Sequence, residues 1–200
     1  MGPGVTVRRV TSASADAIAV DIDVAANAAV GPRDVSIGGA VVTRAFAVYD
    51  RIDGVKVTPQ SGLARVGAEV FPKQFQQFEA IGVNNGLDRQ AGTPDDLILG
   101  PVDVTWKLEE YTATFGDDDV QFVGTIDANG LFTPNVDGPN PKRSGNRNNV
   151  GDVWVVAELA AQDGKAQPIR ARAHLLVTVP LYMTSELIVF ASNPTAPTQH

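Results

Sequence analysis

Alternation is the most regular feature of this chain. Residues 17–25 read AIAVDIDVA, placing Ile18, Val20, Ile22 and Val24 on one face and Ala19, Asp21 and Asp23 on the other. Successive Cβ atoms of an extended chain point to opposite sides, so a period of two predicts a strand with one face on a core. The pattern recurs at 5–10, with Val5 and Val7 inward, at 33–37, and at 41–49, with Phe46 and Val48 inward. It returns at 75–81, carrying Phe78 and Ala80, and at 102–108, carrying Val102, Val104, Trp106 and Leu108. After a phase shift at Glu109 and Glu110 it continues through Tyr111, Ala113 and Phe115. The runs at 153–159 and 171–179 are the longest; in the second, Ala171, Ala173, Leu175, Val177 and Val179 oppose Arg170, Arg172 and His174. Helical periods are nearly absent, and only the short stretch 71–78 suggests one. An all-β protein is predicted.

The pattern centres on 124–134, GTIDANGLFTP. Two short apolar runs flank Asp127-Ala128-Asn129-Gly130. Asn and Gly tolerate positive φ, and an Asp side chain bonds its own backbone two residues on, so this is a β-hairpin signal with a mechanism. The strands of residues 1–55 make at most part of a sandwich, marginal alone by surface-to-volume scaling. Residues 54–59 (GVKVTP) then open a second series, with proline tolerated at a strand edge. The expected organisation is a partial β domain at 1–55, a β-sandwich at 56–190 with an edge strand at 181–190, and a frayed tail at 191–200. Two loops interrupt it, 84–96 (NNGLDRQAGTPDD) and 134–151 (PNVDGPNPKRSGNRNNVG). The second is too rich in Pro, Gly and Asn for regular structure, and loops of that length are usually functional or disordered.

Composition narrows the chemistry. The 200 residues carry a formal net charge of −7, and aromatic residues make up 6%. An acidic surface repels phosphate backbones and few rings are available for base stacking, so no nucleic-acid partner is expected. There is no cysteine, which excludes disulfides, thiolate metal sites, a cysteine nucleophile and covalent attachment of a c-type haem. His174 and His200 are too few for a histidine-based metal site. The most apolar stretch, 175–190, is broken by Pro180, Ser185 and Glu186, so no membrane insertion is expected. Residues 1–10 (MGPGVTVRRV) hold no apolar leader segment.

Three groups of residues carry candidate chemistry. Asp117, Asp118 and Asp119 are hard oxygen donors at close spacing; in an extended run Asp117 and Asp119 share a face and offer a calcium site, against a solvated turn whose carboxylates bond backbone amides. Asp88, Asp95 and Asp96, with Asn84 and Asn85, bracket a loop that offers a second calcium site, although the EF-hand pattern is absent. Lys142, Arg143 and Arg147 make a basic spot on an acidic protein, either a solvated loop or a contact for an acidic partner surface. His174 reads as a surface residue of its strand, with no nucleophile or orienting acid at a catalytic spacing. Trp106 and Trp154 read as core packing.

The order Val55-x-Val57-x-Pro59, Phe78-Glu79-Ala80, Trp106, 124–132 (GTIDANGLF), 151–157 (GDVWVVA) and Val177-Thr178-Val179 resembles bacterial immunoglobulin-like (Ig-like) domains. More narrowly, 71–88 (FPKQFQQFEAIGVNNGLD), 92–111 (GTPDDLILGPVDVTWKLEEY), 115–134 (FGDDDVQFVGTIDANGLFTP) and 138–159 (GPNPKRSGNRNNVGDVWVVAEL) are similar to the C-terminal domain of the quinohemoprotein amine dehydrogenase α subunit. Residues 4–55 are similar to the later part of the Ig-like domain before it. The resemblance implies two consecutive Ig-like β-sandwiches, the first incomplete. It implies a periplasmic parent complex that oxidises primary amines, with a dihaem cytochrome domain in the α subunit, a propeller subunit, and a small subunit bearing cysteine tryptophylquinone. Without Cys-x-x-Cys-His this chain holds none of those cofactors, so haem c and the quinone are expected only in the parent complex. The expected role is a noncatalytic structural and subunit-interface module whose partners are the other subunits and domains. The alternative is a free-standing bacterial Ig-like cell-surface or adhesion module, stiffened by calcium. A hydrolase or carbohydrate binder ranks below both, because the residues declare neither a catalytic carboxylate pair nor an exposed aromatic platform.

Overall fold

The computed structural model describes residues 1–68, 71–112, 117–161 and 167–180. The strands, in chain order, are β1 (Val5–Ala13), β2 (Ile18–Val24), β3 (Gly31–Ile37), β4 (Ala40–Val48), β5 (Gly54–Thr58), β6 (Ser61–Arg65) and β7 (Gln76–Gln77). They continue as β8 (Glu79–Asn84), β9 (Leu97–Pro101), β10 (Thr105–Glu110), β11 (Gly124–Ile126), β12 (Leu131–Pro134), β13 (Gly151–Leu159) and β14 (Ile169–Thr178). A single α-turn, α1 (Asp119–Phe122), and a 3₁₀ turn at Ser144–Asn146 are the helical elements among the described residues. The architecture is all-β with several sheets, consistent with Ig-like β-sandwich domains. Ala113, Phe115, the expected strand at 181–190 and the tail at 191–200 lie outside the described residues.

Two compact units interleave along the sequence. The first comprises Met1–Thr58, Glu79–Thr105 and Val156–Arg172; the second comprises Pro59–Phe78, Trp106–Val155 and the chain from Ala173 on. In the first unit, β1–β2 and β3–β4 are separate antiparallel hairpins, and β5, β8 and β9 form a three-stranded sheet in that order. A register shift in the β3–β4 pair accommodates Arg44 at φ 52°, with its amide donating to the Asp34 carboxylate at 2.8 Å. The buried residues here include Val48, Ile52, Val57, Ala80, Val83 and Leu97.

Burial departs from the alternation in the first two hairpins. Val7, Ile18, Ile22 and Val24, expected to face a core, are exposed, as are Val10 (59%), Ile37, Val41 and Val42 (61%). Each hairpin is a two-stranded sheet that pairs only with itself. Alternation specifies which side of a strand is apolar; it does not supply the layer that must lie opposite.

The second unit holds β6, β10 from Trp106 on, residues 151–155 of β13 and residues 173–178 of β14, from the sheet ordered β10-β13-β14-β6, together with the three-stranded sheet β11-β12-β7. Its buried side chains include Phe78, Val123, Phe132, Val153, Val155, Leu175 and Val177. The 124–134 hairpin forms as the sequence predicts, in antiparallel register Gly124↔Pro134 through Ile126↔Phe132. One carboxylate oxygen of Asp127 accepts from the amides of Asn129 (2.8 Å) and Leu131 (2.9 Å). Gly130 sits at φ 78°, and a Cβ there would fall 2.4 Å from the Phe78 carbonyl oxygen, so the turn demands glycine twice over.

Three elements differ from the sequence reading. Residues 76–77 form a strand, not part of a helix, and the helical turn instead occupies 119–122, inside an apolar run that reads as strand. β6 escapes the apolar pattern because its residues, SGLAR, are mostly small or polar; it is placed by the parallel ladder His174↔Ser61 through Thr178↔Arg65. Small size is required at Gly62, where a Cβ would fall 2.7 Å from the Phe78 ring. Phe132→Ala empties the most enclosed part of this core and should lower the unfolding free energy by about 3–5 kcal/mol. Leu87→Ala, at an 80% exposed position, should change it by less than about 0.5 kcal/mol. Urea denaturation of the two variants checks the placement of the core, and similar losses for both would contradict it.

Candidate functional site

The acidic turn and the basic loop, separate candidates in the sequence, form one site in the second unit. Asp118 precedes α1 and Asp119 begins it. The Arg143 side chain, only 1% exposed, lies between them. Its Nε and Nη2 donate to Asp118 Oδ1 at 3.1 and 2.7 Å, and Nη2 also donates to Asp119 Oδ1. Its Nη1 donates to the carbonyls of Asn148 (2.6 Å) and Val150 (2.9 Å), and the guanidinium lies 5.4 Å from the Phe122 ring centroid. Arg147 adds a contact to Asp118 Oδ1 at 3.0 Å from a half-exposed position. Asp119 Oδ2 accepts the Asp152 amide at 3.0 Å, and a Cβ on Gly151 would fall 2.0 Å from that oxygen. Burial lowers the basicity of the Arg143 guanidinium; the hydrogen bonds and charges of Asp118 and Asp119 more than reverse this, so its pKa is raised.

Arg143 is therefore not a solvated cation available to a partner; Lys142 and Arg147 remain the accessible members of the expected basic spot. The 134–151 loop is ordered by side-chain amides in place of strands. Asn140 donates to the Asn149 side chain at 2.8 Å, Asn149 to the Val136 carbonyl at 3.0 Å, and Asn148 to Asp137. Asp117, Asp118 and Asp119 each bring a carboxylate oxygen within 4.8 Å of the others. A divalent ion in that space would have to displace a buried guanidinium from two of the three carboxylates.

The other acidic group lies in the first unit and closes on itself. Asp95 Oδ2 accepts the amides of Leu87 (2.7 Å) and Asp88 (3.3 Å), while Oδ1 accepts Thr93 Oγ1 at 2.8 Å. Asp96 accepts the Gly92 amide at 2.8 Å, and Asp88 the Gln90 amide at 2.8 Å. The hydrogen bond from Thr93, followed by those from the Asp88 and Leu87 amides, holds the Asp95 carboxyl below the usual aspartate range. The loop is anchored by Asn84, fully buried, which donates to the Arg51 carbonyl at 3.0 Å and accepts the Gly86 amide at 3.1 Å. Its carboxylates already serve as backbone acceptors, the geometry of a structural turn.

Comparison with protein families matches residues 55–187 to quinohemoprotein amine dehydrogenase, alpha subunit domain IV, and residues 1–50 to alpha subunit domain III. The chain belongs to the quinohemoprotein amine dehydrogenase α-subunit family. Comparison with curated proteins finds no match. The buried Arg143 site and the 84–96 loop both fall in the stretch matched to α-subunit domain IV, and strands β1–β4 in that matched to domain III.

Within the domain IV stretch, two residues passed over by the sequence reading stand beside the site. Glu110 Oε1 accepts the Val120 amide at 3.2 Å, whereas its Oε2 is buried and finds no partner among the described residues. Desolvation, together with the charges of Asp117, Asp119 and Asp118, raises the Glu110 pKa. Asp152 bonds His174, Nε2 to Oδ2, at 3.1 Å, and Trp154, half-buried, packs against Tyr111 and His174. Trp106 is half-buried, its indole 3.0 Å from where a Cβ on Gly130 would lie.

The raised pKa of Glu110 has a definite sign for stability. Between its ordinary value and its folded value the native state binds more protons, so this group makes stability fall as pH rises through that window. Glu110→Gln should therefore raise Tm by roughly 2 °C near pH 7.5 and leave it unchanged near pH 4. Calorimetric scans at the two pH values check it; equal shifts at both would contradict the electrostatic origin.

Proposed function

We propose that this chain is a noncatalytic structural and subunit-interface module of a periplasmic quinohemoprotein amine dehydrogenase, its partners being the other domains and subunits of that complex. The observation that carries this reading is the pair of uncovered hairpins. β1–β4 present Val7, Val10, Val24, Ile37, Val41 and Val42 to solvent in the stretch matched to α-subunit domain III. Exposed aliphatic side chains in this number mark surfaces that proteins bury against one another. The noncatalytic part is supported by the chemistry of the charged groups. Asp118 and Asp119 of the acidic turn and the carboxylates of the 84–96 loop are spent on a buried arginine and on backbone amides, and the chain has no thiol to hold a haem. In this reading Lys142 and Arg147 remain the cations that meet an acidic partner surface.

The test is assembly. The full chain carrying Val10→Glu and Val42→Glu, both at exposed positions, should keep the wild-type Tm to within roughly 2 °C. Its recovery in complex with co-expressed haem-bearing and propeller components should fall about tenfold or more by size-exclusion chromatography, since a charge buried at an interface weakens it by more than 1.4 kcal/mol. Undiminished assembly would contradict the reading.

A further inference from the structure

The outer face of the four-stranded sheet in the second unit carries a ring cluster that the subunit-contact reading does not use. Tyr111, directly after β10, meets Trp154 of β13 and His174 of β14, with ring centroids 4.7 Å apart for Tyr111–Trp154 and 4.4 Å for Tyr111–His174. Trp154 and His174 lie edge-on at 5.9 Å. Tyr111 remains 41% exposed. Beside the rings, Asp152 bonds His174. Alternation along β10 puts Lys107 and Glu109 on the same side as Tyr111, and these two pair with each other at 3.1 Å while both staying well exposed.

We propose that this face binds a neutral carbohydrate, with one sugar ring stacked on the exposed face of Tyr111 and its hydroxyls bonded by Asp152, His174, Lys107 and Glu109. Three features argue for that ligand. The rings touch one another, so a cation or a proline ring has no gap to enter, and a ligand must lie on the cluster rather than within it. Contacts to Trp154 and His174 fix Tyr111 in advance, so stacking on it costs little further side-chain entropy. Lys107 pairs with Glu109 and Asp152 bonds His174, so hydrogen-bond donors and acceptors lie side by side along the cluster. Hydroxyl groups on an otherwise apolar ring face match that alternation. β1–β4 instead expose Val7, Val10, Val41 and Val42, aliphatic side chains suited to a protein contact. The sheet face does continue into Leu176, the ladder partner of Leu63, both half-exposed, so a protein interface is an explicit arm of the test.

The proposal is independent of the assembly reading. Full-length protein is titrated with cellohexaose, maltohexaose, chitohexaose and mannohexaose, following tryptophan fluorescence and ¹H–¹⁵N shifts. At least one should bind with a Kd between about 10 μM and 1 mM. Tyr111→Ala should weaken it about tenfold or more at unchanged Tm, and Tyr111→Phe should stay within about threefold of wild type. Shifts should centre on residues 107–111, 152–154 and 174. Absence of saturable binding by all four sugars at about 10 mM, or equal binding by Tyr111→Ala, would overturn the proposal. Loss of partner assembly in Tyr111→Ala without any sugar binding would also overturn it, and would assign the face to a protein.

Discussion

The buried guanidinium of Arg143 is the constraint on which the second unit's loop architecture depends. A side chain that is 1% exposed and permanently charged must be matched almost donor for donor. Here Asp118 and Asp119 take one edge of the fork, and the carbonyls of Asn148 and Val150 take the other. Residues twenty-five apart in sequence are thereby fastened together, and the long 134–151 loop becomes a fixed wall beside α1. The neighbouring details follow from that fastening. Asp119 has one oxygen left, which receives the Asp152 amide and leaves no room for a side chain on Gly151. Glu110, close to the same carboxylates, has its pKa raised by desolvation first and by their charges second.

The same arrangement bears on function. Charges that neutralise one another inside a fold position backbone. The 84–96 loop repeats the logic in the first unit without an arginine, by giving its carboxylate oxygens to amides and to the Thr93 hydroxyl. Among the described residues, the exposed valines and isoleucines of β1–β4 and the ring cluster around Tyr111 are surface features of another sort. The two differ in kind. The hairpins offer area and shape, as a protein contact needs; the rings offer a small stacking surface beside hydrogen-bonding groups.

Much of the fold was legible in the chain, and the misses have physical causes. The hairpin at 124–134 could be read because Asp127, Asn129 and Gly130 act locally, each through its own backbone. β13 and β14 could be read because one face of each is continuously apolar. β6 could not, since SGLAR is held by its neighbours and not by its own pattern. The exposure of Val10 and Val42 was invisible for a different reason: periodicity describes a strand, and burial needs a second surface. The site was half legible. Opposite charges at 117–119 and 142–147 were both noticed, but their pairing is a tertiary event across a hairpin and part of a loop, with no trace in local spacing.

A double-mutant cycle between Arg143→Met and Asp119→Asn, measured by urea denaturation of the full chain, tests the central claim most directly. If the pair is the buried fastening described, Arg143→Met alone should cost about 3–5 kcal/mol, and the two changes together should cost less than their sum by about 1–3 kcal/mol. Effects that add to within about 0.5 kcal/mol would mean that the two side chains do not share a buried interaction, and the account of the site would not stand.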